Sequence, residues 1–161
     1  MPQLHTLLTP LETRMKQLGA LCILGVALVT GADIVGRLLN TPVFGSEEIV
    51  TFLAGLAIGL SMPFAHTRNS HIRVEILMRR FSKATRKRIN LVTDSVTFLF
   101  FAVVTWRMFE YGASTAGSGV VSMNLELPEH LIIYALAGCF AAFSMSLLRD
   151  VLLFFRREGS A

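Results

Sequence analysis

Two sets of charged residues could do chemistry in this otherwise apolar chain. The first is Asp33 and Arg37, which lie inside an apolar run. Residues four apart share one face of a helix, so these side chains can meet and neutralise each other. An ionisable pair in such a run could relay a proton or an ion, or it could be a structural pair or a subunit contact. The spacing alone leaves both roles open, and it favours the second.

The second set is Glu47 and Glu48, which begin the next apolar run. Ser46 before them is a good N-cap, and the helix dipole favours negative charge in the first turn. No further charge appears until Arg68, where the most basic part of the chain begins. An apolar helix that begins with acids and ends in cations is typical of a membrane span, with its orientation indicated at both ends.

Composition indicates the solvent that these runs require. The chain has 161 residues, of which 53% are hydrophobic and 16% charged, and its mean hydropathy is +0.58. A soluble domain carries about a quarter charged residues. The formal net charge is +4, but the basic residues flank apolar runs and form no aromatic-interleaved patch. We therefore expect membrane lipids as partners and no nucleic acid.

The hydropathy pattern predicts an all-α integral membrane protein, in which residues 1–161 form a single four-helix membrane domain. The four predicted transmembrane helices are residues 18–39, 49–65, 89–106 and 131–148.

The segments between and before the spans have their own patterns. Residues 4–15 carry apolar side chains at spacings of three and four, which predicts an N-terminal interfacial amphipathic helix, with a frayed terminus as the alternative. Residues 66–88 hold eight cations and one acid. We predict that they form a cytoplasmic amphipathic connection that touches anionic headgroups. Residues 107–128 are rich in Gly, Ser and Thr and are predicted to be an outer loop.

Small residues at four-residue spacing predict the faces on which the helices pack. In the second span the pair is Gly55 and Gly59, and in the fourth it is Gly138 and Ala142. Such residues let two helix backbones approach closely.

Charge also predicts orientation. Thirteen of the fifteen Lys and Arg residues fall on one side of the four spans, and only Arg37 and Arg107 fall on the other. The positive-inside rule therefore places both termini and the basic connection in the cytoplasm.

No motif of an active site is evident in the sequence. It has no paired His within a span for haem, no nucleophile constellation, no phosphate-binding loop and no metal-spaced cluster. Cys22 and Cys139 lie in apolar runs without partners at metal or disulfide spacing. We therefore expect no enzyme activity, no cofactor and no metal, and instead a scaffold or partner subunit. The alternative is a self-sufficient small oligomeric transporter or channel, for which Asp33 would be the essential carboxylate.

The order of these features resembles the small membrane subunit of tripartite ATP-independent periplasmic (TRAP) transporters, the DctQ-type component. The resemblance extends over nearly the whole chain, and its specific part is residues 32–77. Glu75 stands where Asp is more usual, and the third and fourth spans match only as generic membrane helices. The residues that carry the resemblance are Asp33 and Arg37 four apart, Glu47 and Glu48 at the start of a span, Gly59 within it, and His71, Ile72 and Val74 after it.

The resemblance implies a secondary, sodium-driven uptake system for organic anions, carboxylates or sulfonates, in the bacterial inner membrane. A large membrane subunit (DctM-type) would hold the substrate and sodium sites, and a periplasmic binding protein would deliver the substrate. The small subunit would pack against the static scaffold of the large one and help to dock the binding protein. Asp33, Arg37, Glu47 and Glu48 would then be subunit or binding-protein contacts. His71, Ile72 and Arg73 would belong to the cytoplasmic surface helix.

Overall fold

The computed structural model describes residues 2–67 and 82–158. The predicted surface helix with His71, Ile72 and Arg73 lies outside these ranges. The described residues form four helices: α1 (Pro2–Leu38), α2 (Ser46–Thr67), α3 (Lys83–Ser118) and α4 (Glu129–Glu158).

Each helix contains a segment long and apolar enough to cross a membrane. These segments are Pro10–Leu38, Ser46–Thr67, Arg88–Ser118 and Glu129–Phe154. The predicted all-α class with four spans is confirmed.

The helices pack in the order α1, α2, α4, α3, so that α1 and α3 lie at opposite edges. The inner helix α4 holds the two largest fully buried apolar side chains, Phe143 and Leu147. By contrast, no residue in the most apolar window of α3 is buried. The two edge helices therefore present long apolar faces outward, as a lipid or protein environment in a membrane allows.

The first helix differs from the prediction at its start. Residues 4–15 do not form a separate element, because α1 runs without interruption from Pro2 into the first span. Its packing face is the stripe Glu12, Met15 and Gly19, whereas Leu11, in the predicted apolar stripe of residues 4–15, points outward. The close approach to α2 decides this face: a Cβ on Gly19 would lie 3.3 Å from the Ala57 carbonyl oxygen. Whether the N-terminal turns lie in the membrane interface stays a prediction.

The prediction of a loop over residues 107–128 is largely wrong, because α3 continues to Ser118. Two of the Ser and Thr residues in this segment direct their hydroxyls to backbone carbonyls of the preceding helical turn. Thr115 donates to the Tyr111 carbonyl at 2.9 Å, and Ser118 donates to that of Ser114 at 2.6 Å. The helix ends at Gly119, whose φ of 65° is the left-handed conformation of a helix C-cap. The remaining loop is residues 119–128.

The predicted packing residues differ in how closely a neighbouring helix approaches them. Gly59 is buried against α4, where an added Cβ would lie 3.1 Å from Cys139 Cβ, so the two helices approach closely at this residue. Gly55 is less tightly enclosed, with 3.9 Å to Leu136 Cδ1. Gly138 points outward with no described atom within 4 Å of its Cβ position, so its role as a helix-packing residue stays a prediction. Ala142 is half-buried.

Candidate functional site

Charged residues gather at two ends of the helix assembly. The loop end comprises the last turn of α1, residues 39–45, the first turn of α2 and the loop 119–128. The termini end comprises the turn of α1 that contains Glu12, the last turn of α2 and the turns of α4 around Arg149. The polar contacts of the loop end hold loop residues, whereas those of the termini end join helices.

At the loop end, the predicted pair of Asp33 and Arg37 is formed. Arg37 Nε donates to Asp33 Oδ2 at 2.7 Å. The other oxygen of Asp33 accepts from the Val43 backbone N–H at 3.1 Å, across ten residues of chain. The carboxylate therefore ties the connection between α1 and α2 back onto α1. Both of its oxygens have structural partners, which supports the structural alternative.

Glu48 makes the second set of contacts at this end. Its carboxylate accepts hydrogen bonds from the Ser122 hydroxyl at 2.7 Å, the Asn124 N–H at 2.7 Å and the Leu125 N–H at 3.0 Å. These donors lie more than seventy residues away in sequence, and they belong to the loop 119–128. Glu48 thus clamps that loop onto the start of α2.

The clamped loop has a defined internal structure. Ser122 N–H donates to the Leu127 carbonyl at 2.9 Å, and the Ser122 hydroxyl accepts from Leu127 N–H at 3.1 Å. Gly45 packs beside Leu125 with a φ of 72°, and a side chain at Gly45 would overlap that leucine. Met123 lies between two clamped residues and is 96% exposed. The loop is therefore held by hydrogen bonds while its tip projects outward.

Glu47 contrasts with its neighbour. Its side chain is 85% exposed, and Arg37 Nη2 lies 3.6 Å from its carboxylate. Of the four predicted contact residues, Asp33 and Glu48 are therefore turned into the protein. Only Glu47 and Arg37 present charge outward in a way that a partner could meet.

The loop end is acidic. Residues 33–48 and 107–130 carry six acids and two cations, a formal charge of −4. Because the whole chain has a charge of +4, the remaining residues carry +8. The net positive charge of the chain therefore lies outside these two segments of the sequence.

The termini end holds a buried network that the sequence analysis missed. Glu12 on α1 is only 3% exposed. Its carboxylate accepts from the Thr67 hydroxyl at 2.8 Å, the Ser146 hydroxyl at 2.9 Å and Arg149 Nη1 at 3.3 Å. One acid therefore joins the start of α1 to both α2 and α4.

The network continues beyond Glu12 along α4. Arg149 Nε donates to Asp150 Oδ1 at 3.0 Å, and His66 Nε2 lies 3.2 Å from Asp150 Oδ2. His66 also meets Phe143 edge-on, with 5.8 Å between the ring centroids. The arrangement satisfies buried charges with partners on three helices, as buried ionic groups require.

A signal for this network was present in the sequence. Glu12 stands on the same helical face as Met15 and Gly19, at spacings of three and four. Arg149 and Asp150 interrupt an otherwise apolar run in α4. An acid on a small-residue face and a charged interruption in another helix indicate a possible interhelical pair.

The structure offers no metal site within the ranges that it describes, since no group of three or more His, Cys, Asp or Glu side chains converges there. Cys22 and Cys139 are free thiols, and Cys139 is buried. The geometry is that of a braced helix assembly.

Comparison with known proteins bears on the whole assembly. A family model described as tripartite ATP-independent periplasmic transporters, DctQ component, matches residues 26–157. The match includes about the last third of α1, all of α2 and α3, and all but the last residue of α4. A search of curated protein sequences gave no match. The chain belongs to the DctQ family and is a multi-pass membrane component of a TRAP transporter.

Proposed function

We propose that this chain is the small scaffold subunit of a sodium-driven, binding-protein-dependent transporter for organic anions, carboxylates or sulfonates. It would pack against a large DctM-type subunit and help to dock a periplasmic substrate-binding protein. Membership of the DctQ family supports the class of transporter. The ion, the substrate class and the docking role come from the resemblance of residues 32–77.

One observation carries the scaffold role: the helices are braced by polar contacts at both ends. Glu12 joins α1 to α2 and α4 at the termini end. At the loop end, Glu48 fixes the loop between α3 and α4 to the start of α2. A helix pair that slides or rocks during transport must break contacts of this kind. Bracing at both ends therefore fits a static part of the transporter.

The apolar edges of the assembly fit a subunit that packs laterally. The outward faces of α1 and α3 hold large exposed hydrophobic residues, among them Leu28 and Trp106. In a membrane, such faces can meet lipid or another apolar helix without a solvation penalty. The large subunit would cover one of them.

The acidic loop end fits the side at which a soluble protein arrives. With the cation-rich termini in the cytoplasm, the loop end of the four spans faces the periplasm of a bacterial inner membrane. Among the four predicted contact residues, Glu47 and Arg37 present their charges outward. We assign them, rather than Asp33 and Glu48, to the contact with the binding protein or the large subunit.

The test is gentle purification of the full chain from its native membrane, followed by identification of what accompanies it. A large multi-span permease in stoichiometric amount is the expected result. The same isolation with Arg37→Gln tests the assigned contact, and Arg107→Gln, a change at the other exposed outer cation, is its matched control. Recovery of this chain as a homo-oligomer with no permease would overturn the proposal in favour of a self-sufficient transporter or channel.

A further inference from the structure

An apolar groove runs along the outside of the contact between α1 and α2. It encloses about 450 Å³. Its lining is apolar apart from Ser61, whose hydroxyl is already committed to the Ala57 carbonyl at 2.6 Å. The lining residues are Ile23, Val26, Ala54, Ala57, Ile58 and Ser61, with Met62 and Ala65 at one end.

The length and depth of the groove match one leaflet of a bilayer. Ala54 and Ala65 are eleven residues apart on α2, which is about 16 Å along a helix. Half of a hydrocarbon core is about 15 Å. Ala54 lies near the middle of the span Ser46–Thr67, and Ala65 lies near its termini end. The groove therefore runs from mid-membrane to the level of the lipid headgroups.

A cation lies at the headgroup end of the groove. Lys16 precedes Ile23 by seven residues, or two helical turns, so it stands on the same face of α1. Its Nζ lies 4.3 Å from the centroid of the Phe64 ring, beside Ala65. The Lys16 side chain remains exposed, so its ammonium group is positioned by the ring and still open to a ligand.

We infer that this groove binds one anionic phospholipid, with an acyl chain along the apolar wall and the headgroup phosphate at Lys16. The apolar lining selects a hydrocarbon chain, and the ammonium selects a negative headgroup. This lipid site belongs to the chain itself and does not depend on the proposed transport function.

The test is lipid binding by the delipidated full chain in detergent, measured by native mass spectrometry. The probes are dioleoyl-phosphatidylglycerol and dioleoyl-phosphatidylcholine. We expect the anionic lipid to bind more tightly, and Lys16→Gln to reduce this preference roughly fivefold, as one basic side chain at a membrane surface contributes. The matched control is Arg14→Gln, because Arg14 is an exposed cation on the opposite face of α1.

Filling the groove tests its apolar part separately. Ala54→Leu should weaken binding of both lipids roughly tenfold, because about two methylene groups of the acyl chain lose their place. Ala135→Leu on the outward face of α4 is the control for added bulk and should leave binding unchanged. If Ala54→Leu does not give a monodisperse helical protein, Ala65→Leu takes its place at the other end of the groove.

Several results would overturn the inference. One is equal binding of the two lipids by the wild-type chain. Another is an equal loss of preference in Lys16→Gln and Arg14→Gln, which would mean a diffuse charge effect. A third is a groove-filling variant that binds lipid normally but no longer co-purifies with a large membrane subunit. That outcome would assign the groove to a partner helix.

Discussion

At the termini end, Glu12 and Arg149 are almost removed from solvent and join separate helices, whereas at the loop end Glu48 holds a loop and Glu47 is left in solvent. The first arrangement spans α1, α2 and α4 through side chains. The second binds mostly backbone N–H groups of one loop. Both ends are charged, but only one of them couples the helices through a buried ion pair.

The two ends should therefore respond differently when a charged side chain is removed. A buried carboxylate that loses its cation has no water to take the place of the cation. The unpaired charge therefore destabilises the packing of every helix that the carboxylate joins. A loop that loses its clamp can be solvated in place, so the helices beneath it remain packed.

The largest effect is expected from Arg149→Met at the termini end. The change leaves Glu12 buried with no cation and takes a hydrogen bond from Asp150. Loss of one partner of a buried pair costs about 3–5 kcal/mol of unfolding free energy. Thermal unfolding of the purified chain in detergent should therefore show a strongly lowered midpoint.

The control for that change is Arg107→Met. Arg107 pairs with Glu110 at 2.6 Å, but its side chain is 69% exposed. Exposed pairs of this kind contribute little to stability. Equal destabilisation by the two variants would contradict a special role for the termini end.

A smaller effect is expected from Gly59→Leu, which acts between the two ends. The new side chain would begin 3.1 Å from Cys139 Cβ, so α2 and α4 must separate. Overpacking of this kind costs about 1–3 kcal/mol. The measurement is again the unfolding midpoint, with Gly138→Leu on the open face of α4 as control. A loss at Gly138 as large as that at Gly59 would contradict the close contact of α2 and α4 at Gly59 as the cause.

The smallest global effect is expected from Glu48→Gln. The neutral amide is a weaker acceptor for the N–H groups of Asn124 and Leu125, so the loop should open locally. Hydrogen exchange at residues 122–125 should accelerate while the unfolding midpoint changes little.

Glu47→Gln serves as the matched control at the adjacent position, because Glu47 holds no loop residue. Exchange in residues 122–125 should be unchanged in that variant. If Glu48→Gln instead unfolds the helices, the loop end is as strongly coupled as the termini end, and the contrast fails.

Local rules predicted much of this structure. Hydropathy predicts four spans because each run is long enough to cross a bilayer. The four-residue spacing of Asp33 and Arg37 predicts their contact because helix geometry alone brings them together. Gly59 predicts a close helix contact for a similar reason, since a small residue in a membrane helix usually allows close approach, and its Cβ position lies 3.1 Å from Cys139 Cβ.

The errors lie where tertiary contacts decide. The Gly, Ser and Thr residues after Arg107 suggested a loop, but their hydroxyls bond within α3 and Gly112 packs under Tyr134 of α4. Glu12 is buried with Arg149 of α4 3.3 Å away, and the pattern of residues 4–15 alone does not predict this contact. Gly138, like Gly59, is a glycine within a span, but it faces outward. None of these outcomes follows from spacing in one segment.

The most direct test of the central claim is uptake by proteoliposomes. Vesicles are made with this chain alone, with the large subunit alone and with both, and the binding protein loaded with a radiolabelled organic anion is added outside under an inward sodium gradient. The account predicts uptake only when both membrane subunits are present, and none by this chain alone. Sodium-driven uptake by vesicles that contain this chain alone would contradict it.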